Sequence, residues 1–175
     1  MTEPTPPWRI TALAAEHVHS LAECHITCWR EAYRGLVPDH VLDAFDVHRR
    51  AEQWERLRIR YPNSTHVALV DDHVIGFASV GASRDESPVT PTELNALYVR
   101  AAWYGTGVAD ALIRAALPAD TPCSLWVFEK NPRAQAFYRK HGFEPDGTTR
   151  IEAFTPATEV RMVRGVEQRG KNLSD

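Results

Sequence analysis

Apolar and polar positions along this chain follow two periods, one typical of helices and one typical of strands. From Ala14 to Tyr33 apolar side chains recur at helical spacing, and Gly35 follows where such a helix would end. The stretch Asp46 to Arg60 has a narrow apolar stripe at the same spacing, which predicts a second, highly charged helix. A short helix beginning near Pro38 is expected between them.

Short apolar runs bounded by turn residues predict strands in the rest of the chain. The run at 124–128 is apolar throughout, which favours a strand buried on both faces. Asp71 and Asp72 predict the reversal of a hairpin, and a turn at Thr155-Pro156 is expected to join the last two strands. Besides the stretch described next, the predicted strands are residues 8–10, 66–70, 74–81, 124–128, 147–154 and 158–164.

The stretch Glu93 to Leu117 predicts a buried strand, a turn with two glycines and an amphipathic helix. Residues 94–99 are mostly apolar, 103–107 form the turn, and apolar positions recur at helical spacing from Gly107 onward. A strand that passes into a helix through glycines leaves free N–H groups at the positive end of the helix dipole. The stretch is therefore a candidate phosphate-binding site.

A further helix is expected to begin at Asn131-Pro132, with Asn as the N-cap and Pro in the first position, and to end at His141-Gly142. The order of the predicted elements indicates an α+β fold around one mixed sheet. We expect a disordered leader over residues 1–7, a single domain over 8–164 and a polar tail over 165–175.

Composition excludes several classes of function. A chain of 175 residues with 43% hydrophobic and 25% charged residues is typical of one globular domain. The formal charge of −3 favours neither nucleic acid nor an anionic membrane as partner. No apolar run approaches the roughly 20 residues that span a bilayer, and the start lacks a signal-peptide pattern, so a cytoplasmic location is expected. Three cysteines argue against a disulfide framework.

The sequence argues against two kinds of binding site. Zinc could be held by the first helix, but no CxxC pair exists and His25 lies about 100° around the helix from Cys24, so we expect no metal. A dinucleotide fingerprint at Gly105 and Gly107 needs a third small residue where Asp110 stands. The residues considered for zinc were His17, His19, Cys24, His25 and Cys28.

The second half of the chain resembles the acetyl-CoA-dependent N-acetyltransferase (GNAT) superfamily. The resemblance covers roughly residues 66–164 and follows the hairpin HVALVDDHVIGFASV, the strand ELNALYV and the glycine turn. The segment NPRAQAFYRKHGF matches the family's Asn-x-x-Ala-x-x-Phe-Tyr-x-x-x-Gly-Phe pattern. Residues 8–60 fit the family's variable N-terminal part. The resemblance implies a mostly antiparallel mixed sheet of six to seven strands flanked by about four helices.

The resemblance implies that acetyl-CoA is the co-substrate and assigns residues to it. The family's pyrophosphate loop, (Gln/Arg)-x-x-Gly-x-(Gly/Ala), aligns with residues 104–109, except that Tyr104 stands where Gln or Arg is usual. The pantetheine arm would bind the main chain of the fourth strand, and Asn131 would contact CoA besides capping its helix. The implied cofactor-binding residues are Leu97, Tyr98, Val99, Tyr104, Gly105, Thr106, Gly107, Val108, Ala109, Asn131 and Tyr138.

Two residues match the catalytic positions of the family. Tyr138, the Tyr of the Phe-Tyr pair, would protonate the leaving thiolate, although a tyrosine beside Phe137 could also be a core residue. Glu93, at the start of the fourth strand, is the candidate base, acting directly or through water, with a solvated strand-end glutamate as the alternative. No Ser, Cys or His arrangement suggests a covalent acyl-enzyme.

The acceptor would be recognised by the N-terminal half, and its identity stays open between small-molecule and peptide amines. By family position the candidate wall residues are Trp29, Tyr33, Trp54 and Phe154, each of which could instead be core packing. A homodimer is compatible with the resemblance. The alternative function is a non-catalytic acyl-CoA-binding regulatory domain of the same fold.

Overall fold

A computed structural model describes residues 4–152 and 155–165 as one sheet of seven strands with five α-helices. Residues 1–3 of the predicted leader and 166–175 of the predicted tail lie outside the described residues. The strands are β1 (Arg9–Ala12), β2 (Thr65–Val70), β3 (His73–Ala82), β4 (Thr92–Val99), β5 (Cys123–Phe128), β6 (Glu144–Ile151) and β7 (Thr158–Arg164). The helices are α1 (Val18–Tyr33), α2 (Asp39–Asp43), α3 (Val47–Arg60), α4 (Val108–Ala116) and α5 (Pro132–Lys140).

The strand order is β1-β2-β3-β4-β5-β7-β6, and every neighbouring pair is antiparallel except β4 and β5. That parallel pair is joined at one position only, Glu93 opposite Ser124. By contrast, β3 and β4 pair along seven positions. The sheet therefore consists of two halves, β1–β4 and β5–β7, which are joined near the N-terminal end of β4 and separate beyond it.

A β-bulge bends β4 where it leaves its parallel neighbour. Ser79 pairs with Ala96 and Val80 with Leu94, so Asn95 is the extra residue on β4. Further along, β3 comes so close to β4 that a Cβ on Gly76 would lie 2.9 Å from the carbonyl oxygen of Tyr98. Glycine is needed at that position because any side chain would push the two strands apart.

Helices cover both faces of the sheet. On one face, α1 and α3 pack on β2 and β3 through a core that includes Leu21, Cys28, Trp54 and Phe77. On the opposite face, α4 packs on β2–β4, and α5 packs beside α4 on the half formed by β5 and β7. On this face of the sheet, α4 and α5 therefore cover the opening between β4 and β5.

The predicted α+β fold with a mixed, mostly antiparallel sheet is confirmed, with differences at the ends of elements. The predicted helix from Ala14 begins with a 3-10 turn, Ala15–His17, before α1. The sixth strand begins at Glu144 rather than Gly147. Sequence periodicity missed its start because all eight residues of this edge strand are exposed, so burial imposes no alternation on them.

Candidate active site

The central feature of the site is the open gap between β4 and β5. Beyond β4 the amide of Arg100 donates to the carbonyl of Ile75 on the β3 side, at 2.8 Å. Main-chain groups alternate sides along a strand, so those of Tyr98 also face β3, whereas those of Leu97 and Val99 face the gap. The gap therefore offers the main-chain donors and acceptors of two residues to an extended ligand.

The glycine turn lies at the end of this gap and leads into α4. Gly107 is the N-cap, with φ at +88°, and no side chain caps the helix. The first intrahelical bond runs from the amide of Ala111 to the carbonyl of Gly107, at 3.0 Å. The amides of residues 108–110 therefore precede the hydrogen-bond ladder and can bind an anion at the positive end of the helix.

Tyr104 belongs to a contact that the sequence did not predict. The guanidinium carbon of Arg133, near the start of α5, lies 3.6 Å from the centre of the Tyr104 ring. This cation–π contact places a positive charge beside the amide turn, although the residue of the turn itself is uncharged.

The ends of α5 are held in place by polar contacts. Asn131 is the N-cap, and its side-chain oxygen accepts from the amide of Ala134 at 3.2 Å, as predicted. Near the C-terminal end, Asp110 of α4 accepts from Lys140 at 2.7 Å and is 2.8 Å from His141 Nε2. Burial opposes ionisation of Asp110, but these two contacts outweigh it and lower the pKa of Asp110. The contacts fix α5 beside the amide turn.

Tyr138 extends from α5 on the face covered by α4 and α5. Its ring packs between Phe137 and Phe143, with centroids at 5.5 Å and 6.0 Å. Burial raises the pKa of Tyr138 above its usual range, and the Tyr33 phenol raises it further. The phenol is consequently protonated at neutral pH and available as a proton donor.

Two further tyrosines meet on the opposite, α1-covered face. The hydroxyls of Tyr33, at the end of α1, and Tyr98, on β4, are 3.1 Å apart. Burial raises the pKa of both phenols, and in Tyr98 it outweighs the hydrogen bond with Tyr33, which lowers the pKa. Tyr33 and Tyr98 therefore form a buried hydroxyl pair across the sheet from Tyr138.

The residues predicted to line the acceptor site have different surroundings in the structure. Trp29 packs edge-on against Tyr33, with centroids 4.9 Å apart, and joins the group around the tyrosine pair. Trp54 is 5% exposed and packs against Phe77 in the core, while its indole N–H donates to His25 Nδ1 at 3.1 Å. Phe154 lies outside the described residues.

Glu93 is buried, not solvated, at the end of the gap where β4 begins. Its side chain is 2% exposed, and its carboxylate accepts from Arg84 Nε at 2.9 Å. The amide of Asn95, at the bulge, also donates to it at 2.6 Å when oriented to satisfy its neighbours. The carboxylate is thus held between a guanidinium and the bulge, next to the one pair that joins β4 and β5.

A charged network surrounds Trp126 beside Glu93. Arg150 lies 4.1 Å from the Trp126 ring centre and donates to Glu159 at 2.6 Å, while Arg161 donates to Asp146 at 2.6 Å. Two open depressions of about 340 and 520 Å³ border this network. Asp85, in the loop between β3 and β4, accepts from the Trp126 indole N–H at 2.8 Å and from Arg161 at 3.3 Å. Because these guanidiniums are paired with carboxylates, the network anchors this loop on the sheet rather than providing a free charge.

The described part of the chain contains no group of three His, Cys, Asp or Glu side chains that could hold a metal ion. Cys24 and Cys28 are buried, with sulfurs 3.8 Å apart. Within the same described residues, none of the helices is long and apolar enough to cross a membrane.

Sequence reasoning missed the Tyr98 side chain, Phe128 and Arg133 as neighbours of the gap, and it did not predict the contacts of Glu31. Glu31 of α1 accepts from the amide of Ala101 at 2.7 Å and from Arg100 at 3.0 Å, which ties α1 to the start of the glycine turn. No local pattern identifies such contacts, because their partners lie far apart in the chain.

The sequence of this chain is similar to that of known proteins. The family model described as an acetyltransferase (GNAT) domain matches residues 62–145. An uncharacterized N-acetyltransferase of Mycobacterium tuberculosis is 29% identical over 120 residues, which cover 65% of this chain and 73% of that relative.

Solved structures show the same fold at low sequence identity. The PaiA N-acetyltransferase of Thermoplasma acidophilum, in complex with coenzyme A, superimposes with a TM-score of 0.68 at 18% identity, covering 90% of this chain and 98% of that one. A chain of the NatC complex bound to Gag peptide and CoA gives 0.66 at 14% identity, with 91% and 98% covered. The family match, the relatives and this shared fold together support the GNAT superfamily for this chain and indicate an acetyltransferase.

Proposed function

We propose that this enzyme transfers an acetyl group from acetyl-CoA to a primary amine of a small molecule or peptide, directly, within a ternary complex. The observation that supports this proposal most strongly is the gap between β4 and β5, which opens after a single pair and ends at the amide turn of α4. An extended thioester in this gap would have backbone donors along one side and a phenol near its sulfur.

The cofactor would be bound mainly by main-chain groups. Leu97 and Val99 would hold the pantetheine arm as an added strand would be held, and one of their N–H groups would polarise the thioester carbonyl. The amides of residues 104–109 would bind the pyrophosphate, with Arg133 adding positive charge from α5. Asn131 would contribute by holding the start of α5 beside this turn.

The chemical steps can be assigned to two side chains. The acceptor nitrogen attacks the thioester carbonyl carbon, so that a C–N bond forms and the C–S bond breaks. Tyr138 gives its proton to the departing sulfur, which its raised pKa permits because the phenol is fully protonated beforehand. Glu93 accepts the nitrogen's proton through water, and Arg84, which is 67% exposed, forms an ion pair with its carboxylate at 2.9 Å.

Direct transfer is favoured over a covalent acyl-enzyme. Cys123, which precedes the core of β5, is fully buried, and burial raises the pKa of its thiol to about 11. The thiol therefore stays protonated near neutral pH and is a poor nucleophile.

Calorimetric titration with acetyl-CoA, combined with thiol release over a panel of primary amines, tests this proposal. We expect saturable acetyl-CoA binding and amine-dependent release of CoA. Binding without release for any amine would instead support the regulatory-domain alternative. In the active enzyme, Glu93→Gln should flatten the acidic limb of the pH–rate profile, and an unchanged profile would remove Glu93 from the mechanism.

A further inference from the structure

The direction from which an acceptor reaches the thioester is restricted by the helices. One face of the gap is covered by α4 and α5, including Tyr138. An acceptor must therefore approach from the face on which α1 lies. At the end of α1, Tyr33 connects the two separating strands, since its ring contacts Phe128 of β5 at 4.7 Å and its hydroxyl contacts Tyr98 of β4.

The Tyr33–Tyr98 hydroxyl pair is suited to a neutral nitrogen. Two phenols joined by one hydrogen bond retain one O–H donor and free lone pairs, so the pair can both donate to and accept from an amine. It carries no charge that would stabilise an ammonium ion. Glu159, the carboxylate that influences both phenols, already accepts from Arg150 Nε at 2.6 Å.

The surroundings of the pair are apolar. Trp29 packs against Tyr33 on one side, and Phe45 packs against Trp29 with centroids 5.6 Å apart. Partly buried apolar residues from the segment after α1 and from the segment before β7 pack against the same cluster, namely Leu36, Val41 and Ala157. An apolar substituent next to the amine would be buried here, whereas a second ammonium group would lose its hydration.

We propose that the Tyr33–Tyr98 hydroxyl pair binds the acceptor nitrogen, and that the acceptor is a primary amine attached to an apolar or aromatic group rather than a polyamine. This inference rests on the proposed acetyl transfer, because it uses the gap as the position of the thioester. It goes further by naming the chemical class of the acceptor and the two side chains that orient it.

The test measures acceptor binding to protein saturated with CoA, which cannot turn over. Calorimetric titrations would compare 2-phenylethylamine with spermidine for the natural protein, Tyr33→Phe, Tyr98→Phe and the double variant. Both substitutions keep the packed rings and remove only hydroxyls. Tyr61→Phe is the matched control, because Tyr61 is 51% exposed and lies at the end of α3.

We expect 2-phenylethylamine to bind more tightly than spermidine, and the double variant to weaken its binding about tenfold, the effect of one lost hydrogen bond of about 1.4 kcal/mol. CoA affinity should not change in any variant. In steady-state assays the same loss should appear in KM for the amine more than in kcat.

Three outcomes would overturn the inference: spermidine binding as tightly as 2-phenylethylamine, unchanged amine binding in the double variant, or a matching loss of CoA affinity that reveals a merely structural role. Failure of the natural protein to bind CoA would be a separate result, since it would overturn the proposed function itself.

Discussion

The open edge of β4 and the α1-covered face of the sheet offer different kinds of group at the gap. Along the edge of β4 and at the turn that follows it, which form the proposed cofactor side, these groups are the amides and carbonyls of Leu97, Val99 and the turn at Gly107. On the α1-covered face, the proposed acceptor side, they are side chains, above all the hydroxyls of Tyr33 and Tyr98. Backbone sites tolerate changes of residue, whereas side-chain sites do not.

This difference suggests how one fold can keep its cofactor and change its acceptor. In the proposed pyrophosphate site, the uncharged Tyr104 stands in the turn, and Arg133 of another helix lies over its ring. No similar compensation is available for a hydroxyl pair, which depends on two residues 65 positions apart.

The largest effect is expected at Tyr138, on the face covered by α4 and α5. Tyr138→Phe should lower kcat by about 10²–10⁴-fold, the usual contribution of a general acid, because the phenyl ring keeps the packing and lacks the proton. Acetyl-CoA affinity, measured by calorimetry, should stay within twofold. A variant with undiminished turnover would rule out Tyr138 as the acid.

The packing on the α1-covered face should make the stability of the protein depend on pH, because His25 is buried there. Burial lowers the pKa of His25 to about 3, and Arg50 adds to the effect. Four aromatic rings surround its imidazole, those of Trp29, Trp54, Phe77 and Tyr98.

The unfolded chain takes up a proton at His25 near pH 6.5, whereas the folded chain does not, so the free energy of unfolding falls as the pH drops below that value. Between pH 8 and pH 5 this single group should account for about 2 kcal/mol. Urea unfolding at both pH values should show a smaller loss for His25→Gln than for the natural protein. His48→Gln, at an exposed position, is the control. Equal losses in both variants would contradict this role for His25.

On the proposed cofactor side, the effect of a glycine substitution on CoA binding can be separated from its effect on stability. Gly107 and Gly147 have nearly the same positive φ, +88° and +85°, and a Cβ on either would meet nothing within 4 Å. Substitution by Val at either position should destabilise the protein to a similar extent, since both impose a left-handed conformation on a β-branched residue.

Only Gly107→Val should also weaken CoA binding, by about tenfold, because the side chain obstructs the approach to the amides of the turn. Thermal unfolding and calorimetric titration measure the two effects separately. Equal CoA affinity in Gly107→Val and Gly147→Val would argue against the turn as the pyrophosphate site.

The smallest effect is expected at the cation–π contact. Arg133→Ala should weaken CoA binding about two- to fivefold, in keeping with the roughly 0.5–1 kcal/mol of an exposed contact, and the loss should shrink at high salt. In a double-mutant cycle, Tyr104→Ala and Arg133→Ala should not be additive. Full additivity would show that the Tyr104 ring does not position the guanidinium.

Much of the fold could be predicted from the sequence, including the elements that form the proposed cofactor side. The strand, turn and helix over residues 92–116 have local signals, namely apolar periodicity and two glycines. Asn131 was predicted as an N-cap from its position before Pro132, and the structure confirms it. Such features depend on neighbours in the sequence, so a linear pattern is sufficient to find them.

The proposed acceptor side could be predicted only in part, because its contacts join segments that are distant in the sequence. Tyr33 and Trp29 were expected near the site, but the partner of Tyr33 is a side chain on β4 that was assigned a main-chain role. Trp54 was grouped with them, although it packs in the core against Phe77. The pairing of Glu93 with Arg84 likewise depends on the course of the β3–β4 loop.

Residue-resolved amide hydrogen exchange, with and without acetyl-CoA, tests most directly whether the gap is the cofactor cleft. Bound acetyl-CoA should slow exchange at Leu97, Val99 and the amides of residues 108–110, which face the gap or precede the ladder of α4. Tyr98, whose main chain faces β3, should change least among its neighbours. Protection confined to other strands, with Leu97 and Val99 unchanged, would contradict the assignment.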